Sequence, residues 1–176
     1  MIPVLETPEG EFIQDTTAII DSLEKRFPER SVYPATPKRR LVALLMELYA
    51  DEWLLIPAMH FRWSFPRINR KFIYGEFGKV VSPMLPGPIR RMAGKRLARR
   101  FPACCRCWAL PTAPRTPLRT GTARCWTSST PHFSQYPYLL GTAPSVGDFA
   151  LMAPMFAHLY RDPAPGRIMQ RRAPTW

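Results

Sequence analysis

The hydrophobic pattern begins as two short runs and then changes to helical spacing. Ile2 to Leu5 is apolar, Pro8-Glu9-Gly10 is turn chemistry, and Phe12-Ile13 opens a second run, so strand, turn and strand are predicted. Asp15 and the threonines after it can cap a helix, because a side-chain oxygen there satisfies early N–H groups. Apolar Ile19, Ile20, Leu23 and Phe27 then recur at helical spacing until Pro28 ends the run. Leu23 and Phe27 read as core residues. Residues 31–37 form a proline-bounded linker, and a second helix starts with Thr36 as N-cap and Pro37 in its first position. Leu41, Leu44, Leu45, Leu48 and Leu55 give it an apolar face that runs to about Trp63, with Pro57 as a kink. A basic helix is predicted from Ile89 to Phe101, its cations forming a solvated face. Ser145-Val146-Gly147-Asp148 fits a capping box, in which serine and aspartate each satisfy the other's backbone N–H. Phe149, Met152, Phe156 and Leu159 follow as the stripe of a buried helix.

Charge changes this picture by its position. The chain of 176 residues carries a net charge of +12 and 21 prolines. From 65 to 101 there are ten Lys or Arg against one acid, Glu76; from 102 to 131 there are four Arg, five Pro and no acid. The first 64 residues hold most of the carboxylates. No apolar run reaches the roughly 18 residues of a membrane span, and no basic-then-apolar leader opens the chain, so a cytoplasmic protein is expected. Cys104, Cys105, Cys107 and Cys125 all fall in the middle stretch. Cys104 and Cys107 make a CxxC, but no second CxxC accompanies it and the nearest histidine is His132, so no metal site is expected.

Two segments carry a family resemblance. Ile2-Pro3-Val4-Leu5, Gly10-Glu11-Phe12-Ile13-Gln14-Asp15-Thr16 and Ala18-Ile19-Ile20 resemble the second half of the thioredoxin-like domain of glutathione S-transferases. Tyr138-Leu139-Leu140-Gly141 and Pro144-Ser145-Val146-Gly147-Asp148-Phe149 resemble the capping-box helix of that family's helical domain. The resemblance implies an α/β thioredoxin-like remnant over 1–30, a linker over 31–37, and an incomplete all-α domain of the glutathione S-transferase C-terminal type over 38–176. It implies that Pro3 is the family's cis-proline and that Ile2 offers its backbone to the cysteinyl part of glutathione. Asp15 would take the ammonium of the γ-glutamyl end, while Thr16 and the helix N-terminus would take its carboxylate. Without the resemblance, each of these residues is an ordinary turn proline or helix cap. Ser145 and Asp148 are implied as structural, and no catalytic residue is assigned. The family's Ser, Tyr or Cys that stabilises the thiolate belongs to a strand and helix before Pro3, so a truncated, impaired member is expected.

The stretch 102–131 fits nothing in the family. Reading its codons one base out of register forces leucine at 108 and 126, glycine at 109 and aspartate at 127, and restores helical spacing. A displaced reading frame is therefore expected there, with a Pro-rich linker as the alternative. The functional expectation is a glutathione S-transferase-like protein that conjugates or binds glutathione with a small electrophile, as a homodimer, without metal, nucleic acid or membrane. The alternatives are a non-catalytic dimerising module of the same fold and, from charge alone, a basic binder of nucleic acid or acidic surfaces.

Overall fold

The computed structural model describes residues 3–101 and 115–175. β1 (Val4–Glu6) and β2 (Phe12–Gln14) pair antiparallel with Val4 opposite Gln14, Leu5 opposite Ile13 and Glu6 opposite Phe12. Gly10 closes the connecting turn at φ 83, where a residue with a Cβ would be strained, and its N–H donates to the Thr7 carbonyl at 2.9 Å. Leu5 and Ile13 share one half-buried face.

α1 (Thr16–Arg26) follows, with Lys25 and Arg26 at its negative end. Its core assignment is corrected: Leu23 and Phe27 are exposed, and Ile19 and Ile20 are the half-buried positions. The segment after it is no free linker. Glu24 accepts hydrogen bonds from Ser31 Oγ and from Val32 N (2.8 Å), and Tyr33 Oη donates to Asp21 Oδ1 at 2.7 Å. Pro28–Arg30 forms one tight turn between helix and linker.

α2 (Pro37–Leu48) begins with proline where expected, but Thr36 makes no side-chain cap bond. Its leucine face is also corrected. Leu41, Leu44, Leu45 and Leu48 are exposed, and Ala43 is the buried residue. The continuous helix to Trp63 is interrupted earlier than Pro57. Tyr49–Trp53 widens into a π-type turn, in which Leu54 N reaches back five residues to the Tyr49 carbonyl at 3.0 Å. α3 (Leu55–Ser64) then starts afresh, and Pro57 lies buried in its first turn, where no intrahelical N–H is lost.

α4 (Pro66–Val81) and α5 (Gly87–Ala98) pack as an antiparallel hairpin. Two glycines set their approach. A Cβ on Gly78 would stand 2.2 Å from the Arg90 carbonyl oxygen, and one on Gly94 would stand 2.0 Å from that of Tyr74. α6 (Arg115–Phe133) is helical, so the linker alternative fails over 115–131; residues 102–114, with three of the cysteines, lie outside the described residues. α7 (Val146–Met152) continues as a π-type helix over Ala153–Tyr160, and α8 (Pro163–Arg172) closes the structure.

The core joins Ala50, Leu54, Ala58 and Phe61 to Trp126 of α6 and to Leu151, Met155 and Leu159 of α7 and its continuation. Met169 and Ala173 complete it. The stripe expected for α7 is thus rotated: Phe149, Met152 and Phe156 face outward, and only Leu159 of that set is buried. Among the described residues the chain is mostly helical with one small antiparallel sheet.

Candidate functional site

The hairpin register determines which predicted site residues meet. Because Val4 lies opposite Gln14, Pro3 and Asp15 fall at the same end of the sheet, beside the first turn of α1. Pro3, Asp15 and Thr16 are all exposed there; Ile2 lies outside the described residues. Asp15 caps α1 as its sequence position suggests, with Oδ1 accepting from Thr17 N at 3.0 Å. Its backbone was not foreseen. Asp15 sits at φ 88 and ψ 133, and it is the one non-glycine residue with positive φ among those described. Such a conformation costs about 1–3 kcal/mol and is held only where the surroundings fix it.

Carboxylates crowd the same region. Thr17 Oγ1 donates to Glu47 Oε1 of α2 at 3.2 Å. Burial raises the Glu47 carboxyl above its ordinary range, against the Thr17 hydrogen bond, and the charges of Asp51, Asp21 and Asp15 add to the rise. Asp51 is raised too, first by burial, then by Glu52 and Asp15. A cation beside these groups would relieve their repulsion. Glu47 and Asp51 were missed in the sequence because they stand 30 or more residues from Asp15, on another helix.

Ser145 and Asp148 form the expected capping box. Ser145 N and Oγ donate to Asp148 Oδ2 at 2.8 and 2.7 Å, and Leu139 N donates to Asp148 Oδ1 at 2.8 Å. One carboxylate therefore fastens both the start of α7 and the preceding loop. Val146 N also donates to Val32 O at 3.0 Å, joining α7 to the segment after α1. A second buried tie escaped the sequence reading: Arg62 Nε and Nη2 grip Asp162 at 2.7 and 2.8 Å, with the Asp162 side chain fully buried. Both arrangements hold helices together.

A cavity of about 540 Å³ lies elsewhere, between Phe133, Tyr138, Phe149, Met152, Phe156 and Tyr160. Cys125 is a free thiol that accepts from Tyr49 Oη at 3.7 Å; burial first, and then the thiol, holds the phenol above its usual range. Among the described residues no group of three or more His, Cys, Asp and Glu is placed to hold a metal ion, and no helix is long and apolar enough to cross a membrane. No protein-family model matches the chain, and no curated protein matches it.

Proposed function

We propose that the chain is a glutathione S-transferase-like protein whose hairpin and first helix form the γ-glutamyl end of a glutathione site. The observation that carries this reading is the backbone at Asp15. A strained aspartate caps a helix N-terminus through Thr17 N, and it stands exposed there beside Thr16 and Thr17. An α-amino acid end matches that surface: its carboxylate suits Thr16 and the helix N-terminus, and its ammonium suits Asp15 with Glu47 and Asp51 behind it. Ile2 and Pro3 would supply the strand edge for the cysteinyl part. The thioredoxin-like remnant and the incomplete helical domain of that family belong to the same proposal, as does a small electrophile as second substrate.

Conjugation by these 176 residues should be feeble. A free thiol with a pKa of about 8.5 is mostly protonated at neutral pH and needs a donor to stabilise its thiolate. Of the hydroxyls around α1, Thr17 is held by Glu47, and Tyr33 is engaged by Asp21 with its phenol raised by burial. A second reading, a non-catalytic dimerising module, is favoured by the exposed leucines of α2. Retention on immobilised glutathione, released by free glutathione, separates the two. A purely dimerising module would flow through.

A further inference from the structure

We propose that the α4–α5 hairpin docks the protein on an anionic lipid surface, its apolar turn entering the headgroup layer and its basic flanks facing the lipid charges. α4 is tied to the body at Asn69, which accepts from Ala164 N at 2.9 Å, and at Glu76, which pairs with Arg161. α5 is held chiefly by α4, through the close approach of Gly78 and Gly94, and the two helices are joined by residues 82–86. At that end lie Val80, Val81, Met84 and Ile89, all exposed; Met84 keeps 89% and Val80 77% of its surface in contact with solvent. Isolated exposed apolar residues are common, but four gathered at one end of one hairpin are not.

Charge supplies the partner's chemistry. Between 65 and 101 ten cations stand against one acid, and that acid is already engaged, since Glu76 binds Lys79 at 2.6 Å and Arg161 at 2.8 Å. Arg91, Lys95 and Arg96 are exposed along α5, and Arg99 and Arg100 just after it, behind the apolar tip. These charges lie outside the 102–131 stretch, so they do not depend on how that stretch is read. An anionic bilayer satisfies both features at once: acyl chains take the tip, and headgroups take the cations. A nucleic acid would take the cations alone, because its phosphates gain nothing from Val80, Val81 or Met84, and the tip bears no aromatic ring for stacking on bases. A second copy of the hairpin would bring like charges together. Binding would be peripheral, since no described helix can span a bilayer.

The test is flotation of the full chain with vesicles, which leaves aggregated protein at the bottom of the gradient. Vesicles of phosphatidylcholine with about one-third phosphatidylserine should carry the protein upward, and pure phosphatidylcholine should not. Replacing Arg91, Lys95 and Arg96 together by glutamine should weaken partition ~100-fold, and Val80→Ser with Met84→Ser at least ~10-fold. Both variants alter exposed positions, and unchanged circular dichroism confirms their fold. Salt near 1 M, where the Debye length is about 3 Å, should release the parent. Equal flotation with both vesicle types, or none with either, overturns the proposal. So does binding of a DNA duplex by a chain that ignores vesicles, or self-association abolished by the tip variant without any vesicle binding.

Discussion

Asp15 places two demands on one residue: its side chain caps α1, and its backbone takes a left-handed φ that L residues avoid. The cap was legible because it depends on a side-chain oxygen a few bonds from the helix N-terminus. The strain was not, since it arises where the β2 register meets the first turn of α1. Asparagine has the shape of aspartate and preserves the cap, so Asp15→Asn isolates the charge. Glu47 was invisible for a different reason: only folding brings α2 against Thr17. Its carboxyl is raised in the folded chain, so the fold binds that proton more tightly than the unfolded chain does. The stabilising contribution is therefore complete below the ordinary value of 4.5 and is lost as pH rises through the raised value. Glu47→Gln removes this dependence while keeping an acceptor for Thr17. The melting temperature of the variant minus that of the parent should grow more positive from pH 4.5 toward neutrality; a difference independent of pH contradicts the assignment.

At the level of elements, local signals read well and facing signals did not. The capping box at Ser145 and Asp148, Pro37 at the start of α2 and the turn before β2 all rest on chemistry within a few residues. Which side of a helix is buried depends on what stands opposite. That is why Leu23, Phe27 and the leucines of α2 proved exposed, and why α7 turns Leu151 and Met155 inward instead of Phe149 and Met152. The hairpin gives a sharp contrast between glycines. Gly94→Ala would drive a methyl into the Tyr74 carbonyl and should cost at least about 1–3 kcal/mol, whereas Gly75, with nothing within 4 Å of an added Cβ, should gain roughly 0.5–1 kcal/mol as alanine. Chemical denaturation of both variants checks this, and equal effects contradict the close packing.

Helix α6 is unusual in its own element. Thr122, Thr127, Ser129 and Thr130 each return a hydroxyl to the carbonyl four residues earlier, the competition with backbone bonding that makes such residues poor helix formers. Trp126 is nonetheless buried at the centre of the core. The displaced frame puts leucine at 126 and aspartate at 127, an apolar residue again at the buried position. Resequencing the gene should reveal a single-base slip on either side of 102–131; an uninterrupted frame contradicts that expectation.

The whole molecule exposes apolar surface in several places: the hairpin tip, the leucine face of α2, and Phe149, Met152 and Phe156 beside the large cavity. Its two-stranded sheet also leaves open edges. The proposed glutathione site rests instead on the end of the sheet at Asp15 and Thr16. Titration of glutathione into the ¹⁵N-labelled chain, followed at the backbone amides, tests that claim most directly. The account predicts saturable shifts centred on Thr16 and Thr17, with affinity reduced roughly 3- to 10-fold by Thr16→Ala and about 10- to 100-fold by Asp15→Asn, as neutral and charge-assisted hydrogen bonds are lost. Shifts confined to other parts of the chain, or the same affinity in parent and both variants, would contradict it.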